Sequence, residues 1–93
     1  MFASCYTLTS VVVPEGVTTL ENYCFGNCIS LDEVTLPSTL VHIADCAFDG
    51  CSYMTTIRYN GTMVQWENVY KQDGWNSNCG VQQIICTDGT LAI

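Results

Sequence analysis

Apolar and polar residues alternate over short stretches of the chain, and each stretch ends at a proline or at a turn-forming residue. In residues 31–37 the order is Leu, Asp, Glu, Val, Thr, Leu, Pro, which places Val34 and Leu36 on one side of an extended chain. Glu33 and Thr35 then face solvent. The proline that follows cannot donate a ladder hydrogen bond, so the strand ends there. The pattern predicts short β-strands with one buried face.

A second pair of apolar residues follows each such proline. Leu40 and Ile43 follow Pro37, and the same spacing occurs one period earlier in the chain. This predicts a second short strand on the opposite side of the core. Phe48 comes next, close to Gly50, and an aromatic residue beside a glycine predicts a buried ring in a tight corner.

The whole pattern repeats with a period of 23 residues, which is visible at Phe2, Phe25 and Phe48. A period of about 20 to 29 residues with Leu-like anchors is typical of a leucine-rich solenoid, in which each coil buries its apolar side against its neighbours. The other positions that recur in all three copies are Cys5, Cys28, Cys51; Leu8, Leu31, Met54; Val11, Val34, Ile57; and Val13, Leu36, Tyr59.

One repeat unit is similar to a known family. The segment Phe25–Ile43, with the pattern Phe-x-x-Cys-x-x-Leu-x-x-Val-x-Leu-Pro-x-x-Leu-x-x-Ile, closely resembles the BspA-like leucine-rich repeats of bacterial surface proteins. The resemblance runs from Phe2 to about Tyr59, and segments 57–66 and 84–89 look like the part that often closes such arrays. It implies a non-catalytic protein-binding or adhesive module that is a piece or a relative of a bacterial surface protein.

The predicted fold is a mainly β solenoid of about three 23-residue coils with short parallel strands, followed by a C-terminal helix and β-hairpin. Residues 1–60 form the coils, and residues 61–93 form a cap that packs with them as one domain. The cap begins with a capping box at Thr62–Gln65, which predicts a helix to about Tyr70 with Trp66 on the open end of the third coil. Asp88-Gly89 between two apolar runs predicts the hairpin turn.

The first coil has no polar cap ahead of it, so its apolar residues are expected at an open edge. Such an edge favours pairing with another chain. We therefore expect self-association, as a homodimer, through the first coil. The residues of this predicted surface are Phe2, Leu8, Val11 and Val13.

The outward positions of the strands form the candidate partner-binding surface. They recur at one-coil intervals on a rigid sheet, and solenoids use such faces to hold protein partners. A solvated sheet face without a partner is the alternative, because three coils offer less area than the ~800 Å² per partner of a standard interface. The six positions are Ser10, Val12, Glu33, Thr35, Thr56 and Arg58.

The seven cysteines raise the question of disulfides or metal. Three of them hold one repeat position, where reduced Cys fills the core as a small apolar residue. Two disulfides stay open for an oxidising compartment, between Cys24 and Cys46 and between Cys79 and Cys86. The Cys spacings superficially match a zinc site, but the repeat explains them better, and we expect no metal and no cofactor.

The candidate chemistry outside the cysteines is limited. His42 is the single histidine and aligns with Thr19, so we expect it to point to solvent rather than to form a dyad with Cys46. Asn60-Gly61-Thr62 fits a glycosylation acceptor, although it also matches the closing segment of the similar family. We therefore expect no catalytic site and no enzyme activity.

Charge and hydropathy exclude several kinds of partner. With 2 Lys and Arg against 9 Asp and Glu, the chain would repel a phosphate backbone, so we expect no nucleic-acid partner. No apolar run reaches the ~20 residues that cross a bilayer, and the start lacks a signal-peptide pattern. The resemblance implies a secreted or cell-surface location, but a true start at Met1 would imply the cytoplasm. The alternative function is a free-standing small acidic inhibitor that binds a basic surface of another macromolecule, in which case salt would weaken binding steeply.

Overall fold

Each coil contains two short β-strands, one on either side of the apolar core. The computed structural model describes residues 8–76 and 78–92 of the chain. The elements in chain order are β1 (Ser10–Val12), β2 (Thr19–Leu20), β3 (Glu33–Leu36), β4 (His42–Ile43), β5 (Thr56–Tyr59), α1 (Met63–Asn68), β6 (Tyr70–Lys71), β7 (Gln83–Cys86) and β8 (Gly89–Ala92).

The strands form two sheets that run along the solenoid. One sheet has the order β1-β3-β5-β7-β8 and the other the order β2-β4-β6. All neighbours are parallel except β7 and β8. Val11 pairs with Val34 and Val34 with Ile57, so the 23-residue period is the register of the first sheet. The predicted β-solenoid of about three coils is confirmed. Coil 1 contains β1 and β2, coil 2 contains β3 and β4, and coil 3 contains β5, α1 and β6.

The core consists of the inward side chains of both sheets and of the corners that join successive coils. In β3, Val34 and Leu36 are fully buried, while Glu33 and Thr35 are half-buried on the other side. The rings of Phe25 and Phe48 stack with centroids 5.3 Å apart and planes 2° from parallel. Burying side chains of this size contributes about 1.5–3 kcal/mol each. Identical residues one period apart therefore meet in the core.

Polar side chains join coil 1 to coil 2 at the turns that follow the first strands. The Thr39 hydroxyl accepts a hydrogen bond from the Gly16 N–H and donates one to the Val17 carbonyl, each at 2.9 Å. The Glu15 carboxylate accepts from the Ser38 N–H at 3.2 Å and from the Ser38 hydroxyl. These bonds connect residues about one period apart and help to hold the register.

The corners depend on residues in the left-handed region of backbone space. Tyr23 and Asn27 have φ of 57°, and one coil later Cys46 has φ of 59° and Gly50 has φ of 83°. A Cβ at position 50 would come within 2.5 Å of Asn27 Oδ1, so the close approach of the two corners requires glycine there.

Helix α1 takes the place in coil 3 of the proline turns of coils 1 and 2. The predicted capping box is confirmed: the Thr62 side chain accepts from the Gln65 N–H, and the Gln65 side chain accepts from the Thr62 N–H. The predicted end at about Tyr70 is wrong, because the helix stops at Asn68. Tyr70 instead pairs with His42 as part of β6, and the hydrogen bonds of the second sheet replace those of another helical turn.

Trp66 lies in α1 and packs inside coil 3, against the strand that begins that coil. Its ring meets Tyr59 of β5 edge-on, with centroids 5.3 Å apart, and also contacts Trp75. Lys71 closes the end of α1, because its Nζ donates to the carbonyls of Trp66 at 3.0 Å and Val69 at 2.8 Å and lies over the Trp66 ring. Burial lowers the pKa of Lys71. Lys71, one of the two cationic residues of the chain, is therefore bound at the end of α1.

The hairpin predicted at the end of the chain is present, but its turn lies one residue earlier. Cys86 pairs with Gly89, so the two turn residues are Thr87 and Asp88 rather than Asp88 and Gly89. The Thr87 N–H donates to the Gly61 carbonyl and Asp88 Oδ1 accepts from the Met63 N–H, both at 2.9 Å. These bonds fix the turn against the start of α1.

Candidate functional site

The outward side chains of the larger sheet form two rows, which together we call the strand face. Ser10, Glu33, Thr56 and Gln83 are paired neighbours in one row. The second row runs parallel to it, and β8 adds one residue to each row. The members of the strand face are Ser10, Val12, Glu33, Thr35, Thr56, Arg58, Gln83, Ile85, Thr90 and Ala92.

All six side chains predicted for this surface lie on the strand face. Val12, Thr35 and Arg58 are aligned on adjacent strands, as the period requires. Val12 is 69% exposed, which makes it the most exposed large apolar side chain among the described residues. The sequence thus predicts the placement of these residues correctly, and their role in binding stays a prediction.

The structure adds four residues that the period does not reveal. Gln83 pairs with Thr56 across an interval of 27 residues rather than 23, because α1 lengthens coil 3. Ile85 extends the second row beyond Arg58 in the same way. The signal in the sequence is the alternation in Gln-Ile-Ile-Cys, which matches the inward and outward order of β5. A shallow cleft of about 410 Å³ lies at this end of the face, lined by Thr55, Gln82, Gln83, Thr90 and Ala92.

The centre of the strand face carries one acidic and one basic side chain that neutralise each other. Arg58 Nε lies 3.0 Å from Glu33 Oε2, across the β3–β5 pair, with both side chains partly exposed. Gln83 Nε2 donates to the Thr56 hydroxyl at 3.3 Å. An exposed pair of this kind contributes only about 0–1 kcal/mol to stability, so its main effect is to leave the face without net charge.

At the open end of coil 1, the apolar residues predicted to be exposed are covered to a large extent. Val13 is 5% exposed and belongs to the core, while Leu8 and Val11 are half-buried against it. The inward direction of these side chains keeps them covered by coil 2. Phe2 lies outside the described residues. An apolar cavity of about 270 Å³ remains at this end, lined by Val13, Pro14, Val17, Thr19, Leu20, Glu21, Cys24 and Phe25.

Two cysteines of the repeat ladder, Cys28 and Cys51, pack in the core, and Cys5 lies outside the described residues. Cys51 is fully buried, its Sγ donates to the Phe25 carbonyl at 2.9 Å, and burial raises its pKa to about 12. Cys46, Cys79 and Cys86 are free thiols, so neither of the two disulfides considered from the sequence is formed. Among the described residues, no three side chains of His, Cys, Asp or Glu converge to hold a metal ion.

His42 lies on the outward side of β4, as predicted, but its ring is half-buried rather than free in solvent. Its ring stacks on Tyr70, with centroids 5.3 Å apart, and its Nε2 is buried without a hydrogen-bond partner. The reason is that β6 places Tyr70 beside it in the second sheet. Burial is the largest cause that raises the pKa of Cys46, and a raised pKa is the opposite of what an activated nucleophile requires.

Comparison with known proteins identifies the family to which the repeat belongs. A family profile described as "BspA type Leucine rich repeat region (6 copies)" matches residues 1–72. This chain belongs to the BspA-type leucine-rich repeat family. No curated protein matches it at a significant level. Families of this surface-protein type suggest a protein-binding or adhesive module, and leucine-rich repeat folds are generally non-enzymatic.

This BspA-type chain is also similar to part of a solved structure. A leucine rich cell surface protein from Faecalibacterium prausnitzii A2-165 shares 33% sequence identity with it at a TM-score of 0.73. The match covers 78% of this chain and 19% of that protein, so the chain spans a small part of the longer relative. Within the described residues, no helix has both the length and the apolar character needed to cross a bilayer.

Proposed function

We propose that this BspA-type module binds protein partners through the strand face and has no catalytic role. The observation that carries the proposal is the regular outward row Val12, Thr35, Arg58 and Ile85 on four hydrogen-bonded strands. Adjacent strands lie about 4.8 Å apart, so the row is roughly 14 Å long, and the ladder hydrogen bonds hold its backbone in place. A rigid row of this kind loses little conformational entropy on binding.

A charged substitution at the centre of the row tests this proposal. Thr35→Arg places a long cationic side chain in the second row. Thr18→Arg makes the same change in charge at an exposed residue directly before β2, on the side of the other sheet. We expect beads coated with the Thr18→Arg protein to adhere to immobilised extracellular proteins as the unmodified protein does, and beads with Thr35→Arg to lose adhesion. Circular dichroism confirms that both variants fold. Equal adhesion of the two variants would contradict a role for the strand face.

We also propose that the open end of coil 1 supports self-association with a second copy. The cavity there is lined mostly by apolar side chains, and β1, which carries no charged residue, is the outermost strand of its sheet among the described residues. Two copies with a charge of −7 each repel one another, so added salt should increase the dimer fraction. Light scattering over a concentration series measures this.

The variants Val17→Glu and Val64→Glu separate the cavity from the general surface. Val17 lines the cavity, and Val64 is 65% exposed on α1. Dimer formation should be lost only in Val17→Glu. A monomer at every concentration and salt level would remove this proposal and leave the strand face unaffected.

A further inference from the structure

Every charged side chain of the chain lies among the described residues, and both cations already have partners inside the molecule. Arg58 lies against Glu33, and Lys71 donates to two carbonyls at the end of α1. Among the described residues, no other Asp or Glu side chain forms a salt bridge. The molecule therefore presents a negative field, which attracts positively charged surfaces and repels negative ones.

Three of the eight carboxylates that form no salt bridge border the strand face. Asp32 directly precedes β3, at the end where the parallel strands begin. Glu15 follows β1, and Asp88 lies in the turn after β7, so both border the opposite end of the strands. All three residues are exposed. The bonds from Ser38 to Glu15 and from Met63 to Asp88 hold two of these carboxylates in place.

The strand face thus has an uncharged centre and an acidic border. Its own two charges, on Glu33 and Arg58, cancel. Protein interfaces commonly have this arrangement, with few net charges in the centre and polar groups at the rim. Salt screens charges over about 8 Å at physiological ionic strength, so carboxylates that flank the strands act on the rim of a docked partner.

We infer that the partner of the strand face is a basic protein surface, with an apolar or hydroxyl-rich centre and cationic side chains around it. Apolar groups of the partner pack on Val12 and Ile85, which lie on either side of Thr35 and Arg58 in the second row. The cationic side chains meet Glu15, Asp32 and Asp88. This inference rests on the proposed function and adds the chemistry of the partner to it. Charge complementarity at the border mainly increases the association rate and excludes acidic competitors. It has a smaller effect on the final affinity.

The first experiment is an unbiased selection. A random peptide library on phage is selected against the unmodified protein at about 20 mM salt, and selected again at about 0.5 M, where the Debye length is about 4 Å. We expect the low-salt selection to enrich peptides with a net positive charge that also contain apolar residues. The enrichment should fall at high salt. Enrichment of neutral or acidic peptides, or of none, would overturn the inference.

The two arginine variants separate the inference from the proposed function. Basic peptides that bind Thr18→Arg but not Thr35→Arg support both. If the enriched peptides are neutral or acidic and do not bind Thr35→Arg, the strand face remains the binding surface. Only the inference of a basic partner is then overturned. Basic peptides that bind both variants equally would overturn the strand face as their site, and would indicate binding by charge alone, as in an acidic inhibitor.

The second experiment tests the border itself with changes of equal charge. Asp32→Asn removes a border carboxylate, whereas Asp73→Asn removes an exposed one that follows β6 in the other sheet. For one enriched basic peptide, we expect Asp32→Asn to raise the Kd roughly threefold at about 0.15 M salt, where the Debye length is about 8 Å, and to flatten its salt dependence. Asp73→Asn should change the Kd less than about 1.5-fold, since salt screens distant charges. Equal effects of the two substitutions would overturn the border assignment.

Discussion

Loss of the Phe48 ring should remove a large part of the stability of this solenoid. The ring is fully buried, stacks on Phe25 at a centroid distance of 5.3 Å, and meets Trp75 edge-on at 6.2 Å. It therefore connects the corner between coils 1 and 2 to the chain that follows β6. A Phe→Ala change in a core costs about 3–5 kcal/mol, and two aromatic neighbours favour the upper half of that range.

The magnitude is large compared with the total stability of so short a chain. Domains are stable by about 0.05–0.15 kcal/mol per residue, which gives roughly 5–14 kcal/mol for the 93 residues. A loss of about 4 kcal/mol should lower the Tm by at least about 15 °C. Because the solenoid has neighbour-to-neighbour contacts only, a cavity in one corner also weakens the coils on both sides of it.

Urea denaturation followed by tryptophan fluorescence measures the effect, since Trp75 contacts the ring directly. Two variants serve as controls. Phe48→Leu keeps much of the volume and should cost about 1–2 kcal/mol. Tyr53→Ala removes an aromatic side chain that is 67% exposed, and should cost about 0.5 kcal/mol or less. A Phe48→Ala protein no less stable than Tyr53→Ala would refute the stacked corner.

Four further predictions concern the cap, the corners and the thiols. Thr62→Ala breaks the capping box and should lower the free energy of unfolding by about 1 kcal/mol, whereas Thr62→Ser should retain it, as measured by thermal denaturation. Gly50→Ala should destabilise more than Gly16→Ala in urea titrations, because both have positive φ but only position 50 meets another atom within 3 Å. Cys51 should react with iodoacetamide more slowly than the half-buried Cys46. Burial raises the pKa of Cys51 to about 12. The folded state therefore keeps a proton that the unfolded state releases near pH 8.5. The free energy of unfolding should fall as the pH rises from about 8.5 to 12.

The repeat carries most of the information about the coils and about half of the strand face. Val34 and Leu36 face inward and Thr35 outward because a strand alternates sides with a period of two, which is a local property. The amino-acid sequence alone aligns Val12, Thr35 and Arg58, because equal spacing along the chain becomes strand register in a solenoid.

The register after coil 3 depends on the tertiary structure. Gln83 and Ile85 join the two rows at an interval of 27 residues, because α1 adds chain between β5 and β7. Tyr70 leaves the predicted helix because the edge of β4 offers it hydrogen bonds, and its ring then covers His42. Neither outcome follows from local propensity, because each depends on a neighbour that is distant in the sequence.

The sequence by itself determined the period, the inward and outward sides of each strand, the start of α1 and the BspA-type family of this chain. Only the tertiary structure decided that Val13 is covered, that Lys71 closes α1, and that Arg58 is neutralised by Glu33. The physical reason is the same in each case. Alternation and capping act within a few residues, whereas burial and charge pairing depend on which coil the stacking brings alongside.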